Sequence, residues 1–542
     1  MRGASAGCFW APCCECVLSC RGMTPLWQHS ATTLSTMLGR REVTADEVLR
    51  AHLARIAAVE GRVHAFTEVL RERATEEAAA SDARRSRGEA RGPLDGLPVT
   101  IKECFDVEGR PTTLGIPAWR ERVAARDSAM VTALRDVGAV VLARSNLSQT
   151  MLYVEARNPL FGQSANPWSL RHSPGGSSGG EGAAIACGES PLGVGTDIGG
   201  SIRTPAHFCG IAGLKPTLDR LPMKGYRTVL AGQEAVRGMG GPLARTAGDL
   251  SLFFRALDPR RLAALDPRVP PLPWDEPDGV PIPRLRVGSY CDDGVLCASP
   301  GLVRAVARAS GALRARGATI VAFEPPDVRG LLSDYLGALS ADGGAGLVAA
   351  LSGGEVDPVL RPMRRMAAVP SGARRWLARA AGFIGQDNLA LLLGAMGDKT
   401  VGELWRLTDR LRTYRSTLLE AMDRAGLDLL LCPPFATPAV PHGASKNFTL
   451  ASSYSILFNA TQLPAGVVPV TRVREGETGR RAGADLLSRQ AAKVDAESLG
   501  LPVGVQVVGR AWRDHEVIAA MIAIEGEVKD DAGYPVTPVE LP

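Results

Sequence analysis

Apolar positions along this chain switch between a helical and an extended period, and the switches lay out alternating helices and strands. Thr44-Ala-Asp-Glu47 reads as a capping box, with Val48, Leu49, Leu53 and Ile56 following on one helical face. The stretch 71–87 is charged and Ala-rich, which predicts an exposed helix. Leu97-Pro-Val-Thr-Ile101 reads as a buried strand. Asp127-Ser128 can cap a helix carrying Met130, Leu134 and Val137, which Gly138 ends. Ala139 to Ala143 follows as a second strand, so strand, helix and strand predict a βαβ unit with parallel pairing.

Further along, 258–284 is heavy in Pro and charge and predicts a surface connection. Ser299 to Val321 reads as helix then strand. Leu427 to Leu431, Gly466 to Val470 and Val503 to Val508 are short apolar runs that read as strands. The segment 472–500 is polar and predicts an exposed insertion, and Asp514 to Val528 predicts a closing amphipathic helix. No repeat divides the chain, and apolar runs continue on both sides of the Pro-rich stretch. The expectation is one large α/β domain over 23–542, with a central mixed, largely parallel sheet flanked by helices. Residues 1–22 fit poorly with it and are expected to be a disordered extension, or a misassigned start with Met23 as the first residue.

Composition narrows the function classes. The chain has 542 residues, 45% hydrophobic and 22% charged, which is ordinary globular usage. A net charge of +5 without a dense Lys/Arg block points away from nucleic acid. Cys8, Cys13, Cys14, Cys16 and Cys20 cluster near the start with no His spacing for zinc. The other cysteines are scattered like free thiols of a reduced compartment, so a cytoplasmic protein is expected. Pro12, Glu15 and Ser19 break the apolar stretch that a secretory signal would need. No run of about 18 uncharged apolar residues occurs, so no transmembrane helix is expected.

The densest chemical signal is Ser173-Pro-Gly-Gly-Ser-Ser-Gly-Gly-Glu-Gly182, followed by Gly195-Thr-Asp-Ile-Gly-Gly-Ser-Ile-Arg203. A phosphate-binding loop would need a Lys after its glycines, and none follows. Gly175-Gly-Ser177-Ser-Gly179 formally satisfies a nucleophile elbow, but the residues before it read as loop rather than strand. His207, His442 and His515 follow, none in a supporting context. A Ser-Ser-Lys arrangement is the third reading. Two Gly-flanked serines lie close together, and Lys102 ends a buried strand, where a lysine is costly. Taken alone, an ordinary ion pair or a snorkelling side chain explains Lys102 as well.

These two runs, with Asn158-Pro-Leu-Phe-Gly-Gln163, Asn166-Pro-Trp168, Cys209-Gly-Ile-Ala-Gly-Leu-Lys-Pro216, Gly241-Pro-Leu-Ala-Arg245 and Pro464-Ala-Gly-Val-Val-Pro469, resemble the amidase-signature family. Within it the chain is more narrowly similar to fatty-acid amide hydrolases, and Glu181 is informative because other branches more often carry a small residue there. The resemblance spans roughly 30–528 and implies the amidase-signature fold. It implies a serine hydrolase of carbon–nitrogen amide bonds, with Ser201 as nucleophile, Ser177 as a bridging serine in a cis peptide arrangement, and Lys102 as base. It also implies an oxyanion hole from the backbone N–H groups of Ile198, Gly199, Gly200 and Ser201. Ser178 is expected to support the site, Asp197 and Arg203 to pair and hold the loop, and Met151 and Leu152 to line the substrate pocket. No metal or organic cofactor is called for.

The implied substrate is a hydrophobic amide, with a generic small amide or a glutaminase-type amidotransferase A role as alternatives. Arg374, Arg375 and Arg379 alternate with Trp376, Leu377, Phe383 and Ile384, and 370–396 corresponds to an apolar cap in the resembled hydrolases. Peripheral membrane contact is therefore an expectation. So is a homodimer, because family members are often dimers.

Overall fold

Strands buried on both faces set the frame of this protein, and the computed structural model describes residues 24–542. Expectations for 1–22 lie outside the described residues. The strands are β1 (Phe66–Val69), β2 (Pro98–Lys102), β3 (Val140–Ser145), the pair β4 (Arg157–Asn158) and β5 (Gly162–Gln163), β6 (Leu192–Asp197), β7 (Ala212–Lys215), β8 (Met239–Ala244), β9 (Arg286–Ser289), β10 (Thr319–Ala322), β11 (Leu429–Cys432), β12 (Ala465–Arg472) and β13 (Pro502–Val508). All but β4 and β5 form one 11-stranded sheet in the order β1-β3-β2-β6-β8-β7-β12-β13-β11-β9-β10.

The sheet is mixed, as expected, but it is not largely parallel. Parallel pairing is confined to β3–β2–β6 and to β11–β9–β10. The remaining pairs, β1–β3 and the whole central run from β6 through β8, β7, β12 and β13 to β11, are antiparallel. A strand buried on both faces reads as the same apolar run whichever way its neighbour points, so periodicity carries no direction. The predicted βαβ unit is present. Ser128 caps the helix Ala129–Asp136, and β2 and β3 pair in parallel across it.

Local signals explain most other elements. Thr44 and Glu47 form both bonds of the capping box at the head of the helix Ala45–Val63. The helix Arg71–Ser86 buries only Ala74, Ala78, Ser81 and Arg85. The Pro-rich connection runs mostly over the surface, with one short helix, Pro259–Leu265, capped by Asp258. Two expectations need correction. The segment 472–500 is not simply an exposed insertion. It contains the helix Leu486–Ala496, which buries Leu487, Ala491 and Val494, and its buried Asp495 pairs with Arg480 at 2.5 Å. Those apolar residues recur at helical spacing, a weak stripe that the surrounding charge hides. The closing helix Asp514–Val528 is not a one-sided amphipathic helix, since most of its residues are buried. Its polar head is satisfied inside the protein, where Asp514 accepts from the Thr217 N–H at 2.7 Å and its hydroxyl at 2.8 Å.

Candidate active site

A lysine can end a strand inside a protein only if its ammonium or amine finds partners there. Lys102, at the last position of β2, is fully buried. Its Nζ donates to Ser177 Oγ at 2.7 Å and to Thr196 Oγ1 at 2.9 Å. Burial pushes its pKa down to about 8, against the opposing pull of nearby Asp197 and Glu181. A useful fraction of the amine is therefore unprotonated near neutrality.

The loop bearing Ser177 runs against the backbone of Glu155. A Cβ on Gly176 would lie 2.4 Å from the Glu155 nitrogen, which is why glycine stands there. The Gly176–Ser177 peptide is cis, as the resemblance implied. Ser178 ties this loop to β6: its hydroxyl donates to the Thr196 carbonyl and accepts the Thr196 N–H, both at 3.2 Å. Its own N–H donates to the Ser201 carbonyl. Glu181, in the first turn of the helix Gly179–Ala186, is fully buried and accepts a short hydrogen bond from Thr100. Burial raises its pKa to about 7.

β6 ends at Asp197 and delivers the chain into the turn that carries Ser201. Asp197 and Arg203 form a fully buried pair, with Nε–Oδ2 at 3.0 Å and Nη2–Oδ1 at 2.9 Å. The Asp197 carboxyl is buried, yet the Arg203 guanidinium and Asn459 hold it well below the usual carboxylate range. Arg203 reaches on to the Ser455 carbonyl, Gln506 Oε1 and Asn459 Oδ1. Through these bonds the pair joins the turn to the segments that carry Ser455, Asn459 and Gln506.

One expectation for the oxyanion hole changes. The Gly200 N–H donates to Asp197 Oδ1 at 2.8 Å and is already spent. An Asp accepting from the N–H three residues on is a standard side-chain turn, and it wins here because both groups are buried. Among the described residues, the N–H groups of Ile198, Gly199 and Ser201 donate to no protein acceptor. Ser201 and Ser177 line the same small cavity, though no hydrogen bond joins their hydroxyls.

Two cavities meet at Ser201. The small one, about 10 Å³, mixes Thr150, Thr196, Tyr226 and Thr228 with apolar Ile198 and Leu230. The large one, about 300 Å³, runs between the helices Val328–Leu339 and Asp387–Ala395, past Leu336, Leu339, Leu392, Leu393 and Met396. Met151 and Leu152 line both. Within 370–396, the helix Ser371–Phe383 leaves Trp376 67% and Phe383 94% exposed, while Arg374 turns inward and is buried. Among the described residues no His/Cys/Asp/Glu cluster is placed to hold a metal ion, and no helix is long and apolar enough to cross a membrane.

The sequence singles out Ser177, Ser178, Asp197, Ile198, Gly199, Gly200, Ser201 and Arg203 in the Gly/Ser-rich runs but not Thr196, Tyr335, Asn459 and Gln506, which hydrogen-bond to Lys102, Ile198, Asp197 and Arg203. Thr196 had a local signal, because it lies one residue before Asp197 in the motif itself. The others come from far along the chain and carried none.

This architecture and this pocket define an amide-bond hydrolase of the amidase family. The chain matches the family described as Amidase over residues 47–518, and it belongs to that family, the amidase-signature hydrolases. It is similar to fatty-acid amide hydrolase 1 of Sus scrofa, 37% identical over 453 residues, covering 82% of this chain and 77% of the relative. It is also similar to fatty acid amide hydrolase 1 of Caenorhabditis elegans, 31% identical, covering 90% of this chain and 86% of the relative. A solved structure titled fatty acid amide hydrolase superposes with a TM-score of 0.82 at 27% identity, covering 94% of this chain and 87% of that one.

Proposed function

We propose that this amidase hydrolyses fatty-acid or other hydrophobic amides through Lys102, Ser177, Ser201 and an acyl-enzyme. The observation that carries the reading is a buried lysine 2.7 Å from Ser177, which shares a small cavity with Ser201, where an apolar cavity of about 300 Å³ also opens. Neutral Lys102 takes the proton of Ser177 while Ser177 takes that of Ser201, whose oxygen then attacks the amide carbonyl. The relay runs in reverse to protonate the departing amine, which an amide requires because its leaving group is poor unprotonated. The N–H groups of Ile198, Gly199 and Ser201 hold the oxyanion, and each such donor is worth roughly 3–4 kcal/mol in other enzymes. Water then cleaves the ester by the same relay.

The Leu, Met and Ile walls of the large cavity favour an acyl chain over the polar side chain of glutamine. The small cavity adjoins the large one at Ser201, and its threonines and Tyr226 suit the polar amine. Exposed Trp376, Phe383 and Ile384 beside Arg375 and Arg379 suit peripheral contact with a lipid surface, from which such a substrate would arrive.

The test is fluorophosphonate labelling of wild type and Ser201→Ala, followed by hydrolysis of oleamide against butyramide. Labelling lost in Ser201→Ala with a preference for oleamide supports the reading. Labelling that survives without Ser201 overturns the assignment of the nucleophile, and a preference for butyramide overturns the substrate class.

A further inference from the structure

The geometry points to Tyr335 as the positioning residue that aims the Gly199 N–H at the oxyanion, an inference that rests on the reading of Ser201 above. Tyr335 sits on the helix Val328–Leu339 and is 2% exposed. Its hydroxyl donates to the Ile198 carbonyl at 2.6 Å. That carbonyl belongs to the same peptide unit as the Gly199 N–H, and the unit is trans. In a planar trans peptide the carbonyl and the N–H point in opposite directions, so holding one fixes the other.

Three further observations agree. The Gly199 N–H has no protein acceptor among the described residues, so it is free for a ligand. Gly199 lines the large cavity beside Ser201. A Cβ on Gly199 would stand 3.2 Å from the Tyr335 oxygen, so the hydroxyl and the turn are packed against each other with little slack. A hydrogen bond to the carbonyl also polarises the peptide and strengthens its N–H as a donor. From the helix Val328–Leu339 the cavity receives Tyr335, Leu336 and Leu339. The same helix therefore receives the acyl chain and holds the oxyanion donor.

Tyr335→Phe keeps the ring and removes only this bond. For oleamide it lowers kcat about 10- to 100-fold, less than the 10²–10³ that losing a whole oxyanion donor costs elsewhere, and leaves KM nearly unchanged. A trifluoromethyl ketone bearing the oleoyl chain provides the second readout. Its carbonyl carbon gains a bond to Ser201 Oγ, its oxygen takes the π pair and becomes the oxyanion, and the serine proton passes to the Ser177–Lys102 relay. In Tyr335→Phe the ketone loses affinity by the same factor as kcat, while the corresponding trifluoromethyl alcohol, which forms no adduct, binds as before. The alcohol also counts correctly folded sites. Unchanged kcat and ketone affinity in Tyr335→Phe overturn the inference. A ketone adduct that fails to form in wild type instead overturns the reading of Ser201.

Discussion

The walls around Ser201 are built on opposite principles. On the sheet side, Lys102, Asp197, Arg203 and Glu181 are fully buried polar groups, most of them held by several hydrogen bonds from distant segments. On the helical side, from Val328 to Met396, the wall is mostly aliphatic, with Tyr335, Ser340, Asp342 and Arg374 as its polar members, and its outer face leaves Trp376, Phe383 and Ile384 in solvent. The polar wall tolerates little change, because any partner removed leaves a charge or donor stranded in low dielectric. The apolar wall tolerates substitution and decides what fits. The sheet side is thus the less adjustable of the two, and on the helical side Tyr335 is the member tied to the turn that carries Ser201.

The sharpest way to break this contrast is at Lys102. Lys102→Ala should lower kcat/KM for oleamide by about 10⁴-fold or more, as loss of a triad member does in other serine hydrolases. Wild-type kcat/KM should rise with pH and level off above about 8, because burial lowers the Lys102 pKa and only the neutral amine accepts a proton. Lys102→Ala should lose that rise. A profile falling through the same range would contradict Lys102 as base.

Next in size is Asp197→Ala. It strands Arg203 and should destabilise the fold by about 3–5 kcal/mol, read from urea unfolding. Leu392→Trp, in the apolar wall, should raise KM for oleamide about tenfold while leaving butyramide within about twofold, a split that uniform binding loss produces. Smallest is the outer face. Trp376→Ala with Phe383→Ala should shift stability by no more than about 0.5 kcal/mol, as exposed sites do, yet abolish flotation with liposomes. Flotation by neither form would remove the membrane proposal.

The polar wall was also the more legible one. Ser177, Asp197, Ser201 and Arg203 sit in compact Gly/Ser motifs, and Lys102 stands out as a lysine ending a buried strand. Even the loss of Gly200 as a donor had a local sign, an Asp three residues earlier. What could not be read was completion from afar, since Ser455, Asn459 and Gln506 lie some 250–300 residues beyond Arg203 and look like ordinary core positions. Strand direction was hidden for a related reason: apolar runs such as Val503–Val508 announce burial and nothing about the neighbour. The helical wall was visible only as a stripe near Trp376. That Tyr335 reaches the Ile198 carbonyl depends on a crossing between helix and turn that periodicity does not encode.

The clamp on Arg203 has a consequence for the life of the chain before it is finished. Lys102, Ser177 and Ser201 all emerge from the ribosome early, within the first two-fifths of the protein. The groups that hold their loop in shape arrive only with the helix Ser453–Ala460 and with β13. A nascent or truncated product that carries all the reactive side chains therefore still lacks the strut that shapes them. A chain cut short before Ser453 should therefore show no hydrolysis, although Lys102, Ser177 and Ser201 are all present in it.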